Sequence, residues 1–283
     1  MGNSKMIWYL NGKFVDHNLA KVSVADLGFG RGWGLFEYLR TYQGSPFLVD
    51  DHLSRFFRSA KLLLLTPPIS KDPLKGLILK LLEKNKFDGE TGVKMILTAG
   101  MSSDGVLPSN GPTFVVMAIP LKEYPQKLYE AGIKLSLTNR RRISPGIKTT
   151  DYLSALLALV EAMEAGFDDA LFCTEDGEVL EVTRSNFFYF KGDTLYTAAN
   201  QVLPGITRGL VIKLAKENFT VREKVIKVAD LKNADEAFIT SSEKEIMPVA
   251  QVGDLKIGNG RVGGRTRFLM KEFKKFVNGC SGA

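Results

Sequence analysis

Hydrophobic and polar positions follow two different periods along the chain, and these periods predict both strands and helices. Asn11-Gly12 separates two short apolar runs between Trp8 and Val15 and favours the positive φ angles of a type I′ turn, so a β-hairpin is predicted. Apolar residues at helical spacing predict helices over 51–65, 73–84, 152–165, 207–217 and 266–277. Apolar runs of strand length predict strands over 93–98, 113–119, 133–138, 170–174, 179–181, 187–190 and 237–241.

A glycine-dense segment interrupts these periods. Glycine stands at every second position from Gly28 to Gly34. That spacing excludes a regular helix, because each glycine loses more backbone freedom on folding than any other residue. The apolar stretch 35–42 that follows fits either a strand or a helix.

The polar segment 120–129, which contains Pro120 and Pro125, separates two strand-rich halves. We therefore predict a smaller α/β N-terminal domain over 1–119, an interdomain linker over 120–129 and a larger C-terminal domain over 130–283. A length of 283 residues suits one large or two medium domains. Interleaved strands and helices in both halves indicate an α/β or α+β two-domain enzyme.

Composition narrows the class of protein. A chain with 45% hydrophobic and 24% charged residues is an ordinary globular protein. No run of 18 apolar residues occurs, and the first residues lack a signal peptide and a myristoylation pattern, so we expect a cytoplasmic protein with no membrane partner. The two cysteines and two histidines have no metal-ligand spacing, and no metal site is expected.

The net charge of +7 includes one tight cluster, Arg140-Arg141-Arg142. A basic excess suits nucleic acid, but the chain carries no recognisable nucleic-acid-binding motif. An anionic small substrate or cofactor explains the excess equally well, and no nucleic-acid partner is expected.

Several segments carry candidate chemistry, and each also has an ordinary structural explanation. The tight turn 203–208 feeds a helix and leaves the amides of Ile206 and Thr207 unpaired, which makes either a phosphate site or a plain helix start. Lys148 precedes a predicted helix and is either a surface lysine or a Schiff-base nucleophile. Glu181 ends a strand as either a solvated or a buried acid. Taken separately, these residues decide nothing.

The order of the segments resembles that of the class IV pyridoxal 5′-phosphate (PLP) aminotransferases of fold type IV. That family includes branched-chain aminotransferases, D-amino-acid aminotransferases and aminodeoxychorismate lyase. The resemblance covers about residues 7–277 and rests on the motifs Val24-x-Asp26-x-Gly28, Gly34-x-Phe36-Glu37, His52-x-x-Arg55, Lys148-x-x-Asp151-Tyr152-Leu153, Glu181-x-Thr183-x-Ser185-Asn186, Leu203-Pro204-Gly205-Ile206-Thr207-Arg208 and Ser241-Ser242-x-x-Glu245-Ile246-x-Pro248-Val249. It implies a D-amino-acid aminotransferase-like fold, PLP as cofactor, and a homodimer with active sites at the subunit and domain interface.

The resemblance also implies roles for individual residues. Lys148 would be the Schiff-base lysine and the catalytic proton carrier, and Glu181 would pair with the pyridine nitrogen. Tyr152 would lie near the ring hydroxyl. The residues implied to hold the phosphate are Arg55, Ile206, Thr207, Ser241 and Ser242. Asp151 replaces the asparagine that most members carry, which adds a potential charge beside the cofactor.

The usual arginines for the substrate carboxylate are missing. D-amino-acid aminotransferases carry a Thr-Arg-Gly motif where this chain has Ala99, and branched-chain enzymes carry a Tyr-x-Arg motif where it has Lys94 without the tyrosine. Arg31 and Arg184 stand where the family usually has other residues. We hypothesise that these two arginines replace the carboxylate site, with Phe36 and Lys94 completing the substrate-binding set.

On that hypothesis the chain is a divergent D-amino-acid transaminase that uses 2-oxoglutarate as the partner keto acid. Branched-chain L-amino-acid transamination ranks close behind, and aminodeoxychorismate lyase is third. A non-catalytic binding protein that acts through its basic surface remains a remote alternative. The cofactor motifs do not decide between D and L substrates.

Overall fold

The computed structural model describes residues 6–280, and these divide into two compact units. The first unit runs to Lys122 and includes Ile147–Asp151, and the second contains Glu123–Gly146 and the chain from Tyr152 onward. Met1–Lys5, on which the exclusion of a signal peptide largely rests, lie outside the described residues. Within 6–280, no helix is long and apolar enough to cross a membrane.

The first unit is built on a six-stranded antiparallel sheet in the order β2-β1-β6-β5-β3-β4. Its core lies on one face, where the apolar sides of α2 and α3 pack. The strands are β1 (Ile7–Leu10), β2 (Lys13–Asp16), β3 (Gly34–Tyr42), β4 (Ser45–Pro46), β5 (Thr91–Thr98) and β6 (Thr113–Pro120), and the helices are α1 (Leu27–Arg31), α2 (Val49–Leu62) and α3 (Lys71–Lys84).

The predicted hairpin is confirmed. Trp8 pairs with Val15, and the turn residues Asn11 and Gly12 have φ angles of 44° and 93°. Segment 35–42, which fitted either element, is strand β3. Its buried residues Leu35 and Leu39 alternate with the half-buried Phe36, as expected for a strand with one face on the core.

The exclusion of a helix from the glycine-dense segment was wrong, because α1 occupies Leu27–Arg31. The Asp26 side chain accepts a hydrogen bond from the Gly28 amide at 2.7 Å and caps the helix start. Gly32 ends the helix in the left-handed conformation with a φ of 68°. A cap at each end therefore offsets the poor helix propensity of the glycines for a little more than one turn.

The second unit contains a ten-stranded sheet whose central part closes on itself. Strand β9 pairs with both β8 and β10, so β10, β14, β15, β7, β8 and β9 form a closed ring. The strands are β7 (Ile133–Thr138), β8 (Asp169–Cys173), β9 (Glu178–Val182), β10 (Ser185–Lys191), β11 (Thr194–Ala198), β12 (Thr220–Lys224), β13 (Ile226–Lys227), β14 (Glu236–Ser241), β15 (Glu245–Val252) and β16 (Leu255–Lys256), and the helices are α4 (Gln126–Ala131), α5 (Leu153–Glu164), α6 (Ile206–Ala215) and α7 (Gly264–Cys280).

Side-chain alternation gives this ring two faces. Phe187, Ile239 and Met247 are cross-strand neighbours and belong to the core that the ring encloses. Glu181, Asn186 and Thr240 form the adjacent cross-strand row, on the opposite face of the sheet. The ring therefore places a row of buried polar side chains outside its core.

The predicted helices and strands are confirmed, with ends shifted by a few residues. The two compact units differ in part from the predicted domains. The boundary between the units falls at Lys122, inside the predicted linker 120–129, and α4 begins within that linker. The sequence analysis placed Lys148 in the C-terminal domain, whereas Ile147–Asp151 belong to the first unit because they pair with β3.

Candidate active site

Lys148 is held by backbone pairing in the first unit. The Phe36 amide donates to the Lys148 carbonyl at 2.8 Å, and the Thr150 amide donates to the Gly34 carbonyl at 2.9 Å. Glycine is required at position 34, because a Cβ there would lie 2.9 Å from Thr150 Oγ1 and 3.0 Å from the Leu97 carbonyl oxygen. The lysine therefore sits on an extended segment along the edge of β3, before the helix that follows in sequence.

Two lysine amines flank the Phe36 ring. Lys148 Nζ lies 4.1 Å from the ring centroid and Lys94 Nζ lies 5.2 Å from it. Phe36 pairs with Ile96, and Tyr38 pairs with Lys94, so these side chains share the half-buried face of the sheet. Both distances lie within the range of a cation–π contact. Three predicted site residues, Lys148, Phe36 and Lys94, are thus brought together.

Arg55 forms a buried ionic cluster with Glu37 and His52. Its Nε and Nη2 donate to the Glu37 carboxylate at 2.9 and 2.6 Å, and His52 Nδ1 lies 3.0 Å from Glu37 Oε1. All three residues are at most 4% exposed. Glu37 lies on β3 and Arg55 on α2. Their pairing was not predicted, because the two residues belong to separate sequence motifs.

The charge state of this cluster follows from its burial. Burial alone would raise the pKa of Glu37, but Arg55 and His52 outweigh it and hold that pKa well below its ordinary value. Burial lowers the pKa of His52, although the Glu37 carboxylate opposes the shift. At neutral pH, His52 is therefore uncharged and donates its Nδ1–H to an ionised Glu37.

Glu181 is the corresponding buried acid of the second unit, with 4% exposure. Arg142 Nη1 donates to its Oε1 at 3.1 Å. Its Oε2 accepts from the Leu203 amide at 2.9 Å and from Asn186 Nδ2 at 3.3 Å. Of the two predicted alternatives for Glu181, solvated or buried, the structure shows the buried one, with the carboxylate facing a cation. Arg142 was noted in the sequence only as part of an arginine cluster.

A cavity of about 380 Å³ opens beside this ion pair. Arg141, Arg142 and Gln201 provide its polar groups together with Glu181, and its apolar wall includes Phe172. The Glu181–Arg142 pair therefore lines an open space.

Tyr152 is anchored within the same unit. Its hydroxyl donates to the Thr183 carbonyl at 2.8 Å. Burial raises the pKa of Tyr152 to about 12. The phenol therefore stays protonated at neutral pH and can donate this hydrogen bond.

The start of α6 has no side-chain cap. Gly205 is its N-cap and provides no side-chain acceptor, so the first-turn amides of Ile206 and Thr207 are available. A Cβ on Gly205 would lie 2.2 Å from Asn186 Oδ1, so the helix starts directly against β10. The Thr240 hydroxyl is buried and has no hydrogen-bond partner among the described residues.

These features fit PLP. A buried carboxylate suits a protonated pyridine nitrogen, and an uncapped helix start with a spare hydroxyl suits a phosphate. Ser241 ends β14 next to Thr240, and Ser242 begins the following turn; both are predicted to donate to the phosphate.

The two unusual arginines occupy exposed positions. Arg31 Nε donates to the Gly105 carbonyl at 3.2 Å on the surface of the first unit. The Arg184 side chain is 38% exposed, and its Nη2 lies 3.9 Å from Asp169 in the second unit. Asp151 is also exposed and lies close to Gly32. Their roles in substrate and cofactor binding stay predictions.

Comparisons with known proteins point to one family. The family model for "Amino-transferase class IV" matches residues 34–252. A protein of Methanocaldococcus jannaschii, named provisionally as a branched-chain-amino-acid aminotransferase, is 38% identical over 276 residues that cover 94% of both chains. The D-alanine aminotransferase of Staphylococcus haemolyticus is 32% identical and covers 96% of this chain and 98% of its own. A crystal structure of the branched-chain amino acid aminotransferase of Escherichia coli superposes with a TM-score of 0.90 at 29% identity, covering 96% of this chain and 94% of that one.

Proposed function

Because the chain belongs to the class IV aminotransferases, we propose that it transfers the amino group of an apolar L-amino acid of the branched-chain type to a 2-oxo acid. Enzymes of this family use PLP, which when bound supplies a carbonyl for the Schiff base and an electron sink for the bonds at Cα. Amino acids and 2-oxo acids are accordingly the substrates of this enzyme.

The residues of each unit have separate tasks in this proposal. Lys148 supplies the amine that holds the cofactor and carries the proton to and from the substrate Cα. Glu181 would pair with the protonated pyridine nitrogen, and Arg142 holds the Glu181 carboxylate through its Nη1. The α6 amides and Arg55 bind the phosphate, and Ser241 and Ser242 add donors to it.

The apolar face around Phe36 supports the substrate class. Phe36, Tyr38, Ile96 and Met117 are half-buried on the face of the first sheet that carries Lys148. Lys94 lies on that face beside the Phe36 ring and provides a partner for one carboxylate. An apolar surface of this kind suits an amino acid whose side chain is a hydrocarbon.

The partly exposed Arg184 favours D-amino-acid transamination as the second candidate. A second cation in the other unit suits the divergent carboxylate site on which the D-amino-acid hypothesis rests. The D-alanine aminotransferase relative adds weight to it. Aminodeoxychorismate lyase stays the third alternative.

A substrate screen with a matched variant tests the proposal. The purified PLP-loaded protein is supplied with L-leucine, L-valine, D-alanine or D-valine and 2-oxoglutarate, and formation of the 2-oxo acid of each donor is measured. We expect the L-leucine and L-valine reactions to be fastest and Lys148→Ala to abolish all of them without unfolding the protein. Faster turnover of the D-amino acids would support the second candidate. Pyruvate release from aminodeoxychorismate without an acceptor would support the third.

We further propose that the enzyme is a homodimer. One face of α5 exposes an apolar stripe at helical spacing: Leu153, Leu156, Leu157, Val160 and Met163. A second copy would remove this stripe from water. Sedimentation equilibrium of the holoenzyme is expected to give twice the 31.3 kDa chain mass. A fully active monomer would contradict this part of the proposal.

A further inference from the structure

A buried ion pair spans one end of the six-stranded ring in the second unit. Lys244 Nζ lies 2.9 Å from Asp169 Oδ2, with side chains 7% and 1% exposed. Lys244 lies in the turn between β14 and β15, and Asp169 begins β8. Strand β7 separates these elements on one side of the ring, and β9 and β10 separate them on the other. The pair therefore crosses the mouth of the ring.

Asp169 connects this ion pair to the end of β9. Thr183 Oγ1 donates to Asp169 Oδ1, and the Thr183 carbonyl accepts the Tyr152 hydroxyl at 2.8 Å. Arg184 Nη2 lies 3.9 Å from Asp169 Oδ2. The carboxylate is thus the common partner of Lys244, Thr183 and Arg184.

The backbone of Lys244 is part of the turn that also contains Ser241 and Ser242. Its amide donates to Ser241 Oγ at 3.1 Å, and its carbonyl accepts from the Tyr129 hydroxyl at 3.3 Å. Its ammonium also lies 5.8 Å from the centroid of the Tyr124 ring. The side chain of Lys244 therefore fixes the backbone of this turn relative to Asp169.

Stability alone does not account for such a pair, since the cost of desolvating two charges offsets much of their attraction. What the pair fixes is a position. It sets the turn after β14, which contains Ser241 and Ser242, against the segment that begins two residues after Glu181 at the end of β9.

We propose that Asp169 and Lys244 are positioning residues that hold the Ser241–Ser242 turn where its donors meet the cofactor phosphate. This inference rests on the proposed function, because it takes PLP as the bound group. The pair acts on the phosphate through the turn and touches neither the pyridine ring nor the substrate.

Cofactor affinity with and without the phosphate tests this proposal. Dissociation constants of PLP and of pyridoxal, which lacks the phosphate, are measured for the apoprotein and for Lys244→Met. We expect PLP binding to weaken about tenfold or more, the order expected when a charge-assisted contact is lost, while pyridoxal binding stays unchanged. Lys244→Arg is expected to restore most of the PLP affinity. Lys227→Met is the matched control, since Lys227 pairs with Glu178 at 3.3 Å on the surface of the same unit.

The double variant Asp169→Asn/Lys244→Met keeps the test valid if a lone buried charge prevents folding, because it removes both charges. It is expected to show the same PLP-specific loss, with the single and double effects non-additive. Unchanged PLP affinity in the folded double variant, or equal losses for PLP and pyridoxal, would overturn the inference. Failure of the unmodified protein to bind either compound would instead contradict the proposed function.

Discussion

Each unit contains a buried glutamate that pairs with a buried arginine, Glu37 with Arg55 and Glu181 with Arg142, but the two carboxylates are satisfied differently. Glu37 receives two guanidinium nitrogens from Arg55 and the His52 ring. Arg142 Nη1 donates to Oε1 of Glu181, whose second oxygen accepts from the neutral donors of Asn186 and the Leu203 backbone. Both acids also accept from a backbone amide, that of Tyr38 in the case of Glu37, but Arg55 donates to both oxygens of Glu37, whereas Oε2 of Glu181 accepts from amides.

The difference indicates what each acid does. Glu37 depends on Arg55 for its charge balance and fixes that arginine in return, so its contribution is to hold the first unit together. Oε2 of Glu181 is held by amides, and Arg142, on the Oε1 side, lines a cavity. An acid held by neutral donors can present its charge to a cofactor ring. We therefore expect Glu37 variants to change stability and Glu181 variants to change turnover.

The largest expected effect is the loss of stability in Glu37→Gln. The substitution leaves the Arg55 guanidinium buried without its counter-ion, and breaking a buried pair in this way costs about 3–5 kcal/mol. The shift in the denaturation midpoint of the apoprotein measures it.

The double variant Glu37→Gln/Arg55→Met is the control for that prediction. It removes both charges and is expected to recover part of the lost stability. If Glu37→Gln unfolds at the same denaturant concentration as the unmodified protein, the structural role of Glu37 is wrong.

Glu181→Gln is expected to have the next largest effect, and on catalysis. The pyridine nitrogen would lose its charge partner, and removing one preorganised electrostatic group at a reacting centre typically lowers turnover about 10²–10³-fold. Cofactor content should fall less, since the uncapped start of α6 is intact. Steady-state turnover and the PLP content of the purified variant are the measurements. Near-normal turnover would show that another group protonates the ring.

These two acids also show how far the sequence predicts the site. The order of the motifs resembles that of the class IV family, and this resemblance led to Lys148, Glu181 and Arg55. The motifs did not predict the ionic partners. Arg142 pairs with Glu181, and Asp169 pairs with Lys244, and the members of each pair lie far apart in sequence. Such pairings depend on ring closure, which no local pattern encodes.

Prediction of the secondary-structure elements is likewise limited to those with a clear local pattern. Hydrophobic period predicted β5, where the buried Val93, Met95 and Leu97 alternate with the half-buried Lys94 and Ile96. The prediction excluded the short helix α1 because of the low helix propensity of its glycines. The helix forms because its caps at Asp26 and Gly32 compensate for that low propensity. The exposed strand β12 (Thr220–Lys224) was not predicted, since its mostly exposed side chains leave no apolar pattern.

The two units also offer one candidate carboxylate partner each, and a pair of variants separates them. Lys94→Met removes the cation beside Phe36, and Arg184→Ser removes the partly exposed cation beside Asp169. Loss of a charge-assisted contact to the substrate typically costs about 1.5–3 kcal/mol, or roughly ten- to a hundredfold in apparent affinity. We expect Lys94→Met to raise the KM for branched-chain L-amino acids more than Arg184→Ser does. The reverse order would favour the D-amino-acid alternative.

The smallest expected effect is a difference between His52 and Glu37 in how each makes stability depend on pH. The pKa of His52 is lowered by burial from an ordinary value of 6.5, so the unfolded chain binds a proton there at a higher pH than the folded protein. Stability from the neutral ring is present above pH 6.5 and is lost as the pH falls below it, by at most about 1.4 kcal/mol per pH unit. Glu37 contributes no slope in this range, because its pKa lies below its ordinary value of 4.5 and its stabilisation is lost only under more acidic conditions. His52→Gln retains a donor for Glu37 but does not titrate. The denaturation midpoint of the unmodified protein should therefore fall more steeply between pH 6.5 and 5 than that of the variant, and parallel profiles would show that His52 is not the acid-sensitive group of the first unit.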